Sequence, residues 1–242
     1  DGIEEKLFTN VYDHYGNIAV HKDEQTQLET HYQYDLIGRL LESRSTDGLK
    51  VKVAYDDKNR VAQKQYRVDG TGHQTKYLYG EVSKQQKPGL GYGMQIDGKN
   101  CIEYAYDLLG RCKKKTQTYP SGKKKEITYT YVPGAKEGTT TALVGTITEN
   151  GKKTAYTYDG RGNILEICTK ALDTGKVTDH MLYTYNGMNQ VIREEDAVRG
   201  TTYTYTYDLG GNLLENKKYD RVNGVEELRS TDTYTYSSGW KD

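Results

Sequence analysis

Proline is nearly missing, with three residues in a chain of 242. So little proline excludes a polyproline ligand or a stiff proline-rich linker and leaves strands free to run uninterrupted. There is one Phe and one Trp, and mean hydropathy is −0.90, which argues against a conventional thick apolar core. Charge of either sign in excess is also absent. Lys plus Arg and Asp plus Glu each number 34, so the chain lacks the electrostatic footprint that nucleic acid or an anionic membrane attracts. No apolar run approaches the ~20 residues of a membrane-spanning helix. The three cysteines, Cys101, Cys112 and Cys168, form no CxxC pair, and their odd number supplies neither a disulfide framework nor a redox compartment. No basic stretch followed by an apolar one opens the chain at Asp1. The missing initiator Met and an end in mid-pattern at Trp240-Lys241-Asp242 predict a piece of a longer protein.

What is abundant is tyrosine, 24 residues. Low aliphatic content alone would suggest disorder, but a chain rich in Tyr and Thr favours strands. A single sheet with one Tyr-lined face fits this composition. The tyrosines also repeat. Tyr12, Tyr34, Tyr55, Tyr79, Tyr106, Tyr131, Tyr158, Tyr185, Tyr207 and Tyr236 follow one another at intervals of 21 to 29 residues. They define about ten units and predict one array over residues 1–242.

Seven units share a longer signature. Asp or Asn follows the Tyr, at Asp13, Asp35, Asp56, Asp107, Asp159, Asn186 and Asp208. Three residues on stands Gly or Asn, at Gly16, Gly38, Asn59, Gly110, Gly162, Asn189 and Gly211. A polar residue and then an apolar one come next, as in Arg39-Leu40 and Asn163-Ile164. Asp or Asn at the first place of a type I turn accepts hydrogen bonds from the amides that follow. Gly or Asn tolerates the positive φ that closes such a turn between antiparallel strands. The polar residue is expected to point away and the apolar one to return to the packed face.

The incoming strands alternate with period two. Tyr32/Tyr34, Tyr104/Tyr106, Tyr156/Tyr158, Tyr183/Tyr185 and Tyr205/Tyr207 each place two rings on one face, commonly with Thr between them. The ladder positions Tyr34, Tyr55, Tyr106, Tyr158, Tyr185 and Tyr207 are predicted to pack across neighbouring hairpins. Second turns are predicted at Thr46-Asp47-Gly48, Asp69-Gly70, Asp97-Gly98, Pro120-Ser121-Gly122, Glu149-Asn150-Gly151 and Val222-Asn223-Gly224. The runs Lys113-Lys114-Lys115 and Lys123-Lys124-Lys125 read as solvated strand ends. After Tyr79 and Tyr131 the pattern lapses, so the first turn must differ there, and Gln85 to Gly93 is the longest expected loop. Nothing shows helical periodicity with caps. The fold class is all-β, an array of antiparallel hairpins forming one curved or spiralling sheet.

Catalytic and metal-binding signatures are wanting. His14, His21, His31, His73 and His180 show no ligand spacing, and there is neither a nucleophile elbow nor a phosphate loop. Cys112 and Cys168 read as packing residues. Catalytic, cofactor-binding and metal residues are all expected to be none. One carboxylate per unit is better used in a turn than in a calcium ladder.

The runs Tyr104-Ala105-Tyr106-Asp107-Leu108-Leu109-Gly110-Arg111 and Tyr32-Gln33-Tyr34-Asp35-Leu36-Ile37-Gly38-Arg39-Leu40 resemble the Tyr-Asp (YD) repeat of Rhs elements, as does Tyr205 to Leu213. That family includes bacterial Rhs and wall-associated polymorphic toxins, shell components of insecticidal ABC toxins, and teneurins. The resemblance implies hairpins wound side by side into a spiralling sheet around a cavity. It implies a non-enzymatic scaffold, secreted or associated with the cell wall or surface, that encapsulates or presents a toxin or effector domain outside this chain. Implied partners are the remaining YD repeats and a C-terminal domain, with self-association through strand edges. The family's self-cleavage segment is Asp-Pro-rich, and no Asp-Pro occurs here. A carbohydrate- or cell-surface-binding adhesin module, with Tyr rings stacked on glycans, is the alternative.

Overall fold

The computed structural model describes residues 6–68, 70–81 and 84–236. Within them lie nineteen strands and no α-helix, so the all-β array of antiparallel hairpins expected from the sequence is what the structure shows. The chain divides into two compact units, residues 1–124 and 125–242.

The first unit holds β1 (Phe8–Tyr12), β2 (Ile18–Asp23), β3 (Glu29–Tyr34), β4 (Leu40–Ser45), β5 (Lys50–Tyr55), β6 (Val61–Val68), β7 (Thr71–Tyr79), β8 (Gly91–Ile96), β9 (Lys99–Tyr106) and β10 (Cys112–Thr118). Each pairs antiparallel with the next. The second holds β11 (Lys124–Pro133), β12 (Thr140–Glu149), β13 (Lys152–Tyr158), β14 (Ile164–Ala171), β15 (Val177–Tyr185), β16 (Val191–Asp196), β17 (Thr201–Tyr207), β18 (Leu213–Val222) and β19 (Val225–Thr233). It too is a simple meander.

The chain turns in the same way at Asp13, Asp35, Asp56, Asp107, Asp159, Asn186 and Asp208. In each, the amide three residues on donates to the Asp or Asn carbonyl, as Gly38 N does to Asp35 O at 3.0 Å. The Asp or Asn amide in turn donates to the carbonyl four residues on, as Asp35 N does to Arg39 O at 2.9 Å. Positive φ falls at the predicted closing residue each time, from 62° at Asn59 and Asn189 to 91° at Gly162. The second turns at Asp97-Gly98, Asn150-Gly151 and Asn223-Gly224 have positive φ at both residues, the signature of the tight I′ hairpin. Asp69 of the Asp69-Gly70 turn lies outside the described residues. The expected long loop begins and ends earlier than Gln85–Gly93: Gly80 N closes it on Leu90 O at 2.9 Å, and Gly91 already belongs to β8.

A one-residue irregularity just below each turn was not expected. Tyr34 faces Leu40 while Gln33 faces Glu42, leaving Leu41 unmatched. The same one-residue bulge recurs in the other six signature hairpins, leaving over Ala19, Ala62, Lys113, Leu165, Ile192 and Leu214. The divergent hairpins keep it too, with Tyr79 facing Gly91 and Tyr131 facing Val144. The bulge resets the alternation of faces. Ile164 lies opposite Tyr158, but Glu166 lies opposite Thr157, and Ile167 opposite Tyr156. The Tyr face therefore receives Ile164 and Ile167, and Cys168 falls on the other, wetter face. Reading Cys168 as a packing residue is corrected here, whereas Cys112 faces Tyr106.

Each unit is a single layer of strands with hardly a core. Val53, 9% exposed, is the buried hydrophobic residue among those described. The chain exposes 16965 Å², against roughly 11,000 Å² for a globular monomer of this mass. Cohesion must come from neighbour-to-neighbour contacts rather than from a common interior.

Gly162→Ala forces an L-residue to φ 91°, although a Cβ there meets nothing closer than 3.9 Å. It should cost about 1–2 kcal/mol in denaturant unfolding. Gly160→Ala in the same turn, with open space and no positive φ, should change little; equal losses from both would show that the left-handed geometry is not what the turn requires.

Candidate functional site

The residues singled out in the sequence form two linked rows. At each Asp turn the carboxylate is fully used. Asp35 Oδ1 accepts from the amides of Ile37 (3.1 Å) and Arg39 (2.9 Å), and Oδ2 accepts from Arg39 Nε (2.6 Å). Asp56 and Asp107 repeat this with Arg60 and Arg111. Asp13, Asp159 and Asp208 do it with the side-chain amides of Asn17, Asn163 and Asn212. The polar residue thus does not point away, as its place in the alternation suggested; it folds back on the turn that precedes it. Where the first residue is Asn186, polarity reverses: Asn186 Nδ2 donates to Gln190 Oε1 at 2.7 Å. A carboxylate only accepts and is matched by a donor; an amide that donates is matched by a side chain able to accept.

These side chains also reach the next hairpin. The guanidinium of Arg39 lies 4.5 Å from the centre of the Tyr55 ring, and that of Arg60 lies 3.9 Å from the Tyr79 ring, both at cation–π distance. Arg39 Nη1 donates to Asn59 Oδ1 at 2.6 Å, and Asn163 Nδ2 to Asn189 Oδ1 at 3.0 Å, so neighbouring turns are tied directly.

The Tyr row closes a gap between hairpins. Between β4 and β5 the ladder stops at Glu42–Lys52, which leaves the carbonyl of Leu40 without a strand partner. The hydroxyl of Tyr55 donates to it at 3.0 Å. The pattern recurs with Tyr34 on Ile18, Tyr79 on Val61, Tyr158 on Val144, Tyr185 on Ile164, Tyr207 on Val191 and Tyr236 on Leu213, at 2.7 to 3.0 Å. Tyr106 donates likewise to Gly91. In each case the acceptor is the residue facing the preceding unit's Tyr at the bulge. All six predicted ladder tyrosines take part. Sequence reasoning assigned them ring packing and missed the hydroxyl; within strands the rings do stack, with Tyr32 and Tyr34 centroids 6.5 Å apart.

Titration follows from these contacts. Burial raises the phenols of Tyr34, Tyr106, Tyr158, Tyr185 and Tyr207. Tyr205, desolvated and beside the Glu194 carboxylate, is pushed up to about 12. Side-chain amides of Asn17, Asn163 and Asn212 chiefly hold Asp13, Asp159 and Asp208 below the usual carboxylate range. At Asp35, Asp56 and Asp107 partial desolvation pushes upward, but hydrogen bonds from Arg39, Arg60 and Arg111 outweigh it and the net shift is also down.

No protein-family model and no curated protein sequence matches the chain. Solved structures do, among them crystal structures of TcdB2-TccC3-TEV and of TcdB2-TccC3 without its hypervariable C-terminal region. Their TM-scores are 0.72 and 0.74 at 14% and 15% identity. This chain has their fold. The matches cover 96% of it and 12% of each of those chains, so it spans about an eighth of their length. At such identity the likeness is one of fold alone.

Tyr185→Phe deletes one inter-hairpin hydroxyl and strands the Ile164 carbonyl. A loss of about 1 kcal/mol is expected by denaturant titration; no loss would show that the hydroxyl is not a joint. Against pH, the raised phenols favour the folded state while neutral. Their contribution is complete below the ordinary Tyr value near 10 and lost as pH climbs through the raised folded values. The lowered turn carboxylates contribute above their ordinary value near 3.8 and lose that contribution as pH falls through the lower folded values. Unfolding midpoints against pH should be flat between these limits and fall beyond both.

Proposed function

We propose that this chain is a wall segment of a secreted bacterial YD-repeat protein, a passive scaffold that encloses or presents a toxin or effector domain carried elsewhere in the same polypeptide. The observation behind this reading is the fold shared with TcdB2-TccC3 over 96% of the chain. On this reading residues 1–242 form a single array of about ten YD units without enzymatic activity. Its partners are further repeats and a C-terminal domain, and its setting is extracellular or associated with the cell wall.

Surface chemistry agrees. Leu36, Leu108 and Leu209, at the tips of three Asp turns, are 91%, 93% and 99% exposed; apolar tips of this kind suit contact with other parts of a larger assembly. Among the described residues β1 pairs only with β2 and β19 only with β18, and open strand edges invite a further strand.

Electron microscopy and limited proteolysis of the parent polypeptide test the proposal. A hollow wall with a protease-protected domain inside is expected; a downstream domain that is cleaved as fast as when isolated would overturn it. A glycan array should stay blank with this chain, and binding abolished by Tyr12→Ala and Tyr15→Ala would favour an adhesin instead. Light scattering across concentrations should show dimers or larger species of the isolated chain, and a strict monomer would contradict edge pairing.

A further inference from the structure

The bulge that moves Cys168 to the wet face sets it beside two other potential metal ligands. Glu166 and Cys168 are two residues apart on β14 and share one face, while His180 on β15 faces Cys168 directly. Their ligand atoms, a Glu166 carboxylate oxygen, Cys168 Sγ and a His180 ring nitrogen, all lie within 4.8 Å of one another. His180 Nε2 and Glu166 Oε1 are already 2.7 Å apart.

We propose that Glu166, Cys168 and His180 form a three-ligand site for a borderline divalent transition metal of the zinc class. The donor set suits it: thiolate, imidazole and carboxylate are the three zinc donors, at about 2.3, 2.0–2.1 and 2.0–2.2 Å. A tetrahedral ion needs those donors roughly 3.4–3.6 Å apart, so the His–Glu pair, at 2.7 Å, opens slightly, within the reach of side-chain torsions. The charges suit it as well, since a dication with one thiolate and one carboxylate is neutral, which Lys153 and Lys170 beside the site tolerate. Small residues stand opposite on β13, with Ala155 facing Cys168 and Thr157 facing Glu166. They leave a depression of about 480 Å³ against Glu166 and Cys168, room for a water or a partner's side chain in the fourth position.

The composition of this patch is peculiar to one hairpin. The position ten residues after the ladder Tyr is Cys168 here, and Lys22, Arg44, Gln65, Thr116, Glu195 and Lys217 elsewhere. At the corresponding patch between β4 and β5 the strands are joined by the salt bridge Lys50–Glu42 at 2.7 Å. A metal would join β14 to β15 where β4 and β5 use opposite charges.

Titration calorimetry of the full chain with Zn²⁺ alone, and absorption spectra with Co²⁺ alone, test this. One ion per chain, a raised thermal midpoint and a thiolate-to-cobalt charge-transfer band are expected. Cys168→Ser should abolish the band and His180→Gln should weaken affinity by at least the roughly 10–100-fold that loss of a mere outer-shell partner costs, whereas the Cys101→Ala/Cys112→Ala double variant should bind as the unaltered chain does. No binding at millimolar Zn²⁺, or binding by Cys168→Ser and His180→Gln equal to that of the unaltered chain, overturns the site. If Cys168→Ser fails to fold, His180→Gln and the cobalt spectrum of the unaltered chain decide the matter.

Discussion

A carbonyl that a bulge leaves without a strand partner, and a phenol that arrives from the next hairpin to meet it, hold this molecule together. Each hairpin pinches at its Asp turn and departs from its neighbour there, as the ladder ending at Glu42–Lys52 illustrates. Unmet, the Leu40 carbonyl would be shielded from water by the Tyr55 ring and cost more than an ordinary hydrogen bond returns. The Tyr55 hydroxyl removes that penalty, its ring covers the bulge, and Arg39, anchored by Asp35, lies over the ring's outer face. Turn, bulge, ring and guanidinium form one joint, and eight tyrosines among the described residues make its hydroxyl contact.

Such joints connect only successive hairpins, so stability accumulates along the chain rather than around a centre, in the manner of solenoid repeats. This accounts for a polypeptide with one buried hydrophobic side chain among those described whose regular structure there is nonetheless nineteen strands. Each joint contributes modestly and the number of joints supplies the rest.

The sequence revealed the turns because their demands are local: an acceptor at Asp35 and a left-handed residue at Gly38 are fixed by four consecutive positions. It did not reveal that Arg39 turns back to Asp35, because alternation counts faces and ignores a side chain long enough to return. The bulge below the turn was written in the sequence all the same. Leu40-Leu41, Ile164-Leu165, Val191-Ile192 and Leu213-Leu214 put two apolar residues side by side where strict alternation permits one. Missing that doublet shifts every later residue of the strand to the wrong face, which is how Cys168 came to be read as interior. The meeting of Glu166, Cys168 and His180 lay beyond sequence reasoning, since it depends on the register between two strands that only tertiary pairing sets.

The two departures from the signature carry a lesson of their own. Between Gly80 and Leu90, and again between Gly134 and Thr139, the short Asp turn is replaced by a longer excursion, yet Tyr79 and Tyr131 keep their bulged register. The joint sits in the strands below the tip and is indifferent to what the tip becomes. A lineage carrying this fold can therefore lengthen, decorate or exchange its rim one loop at a time, acquiring new surface while the fabric beneath stays as it was.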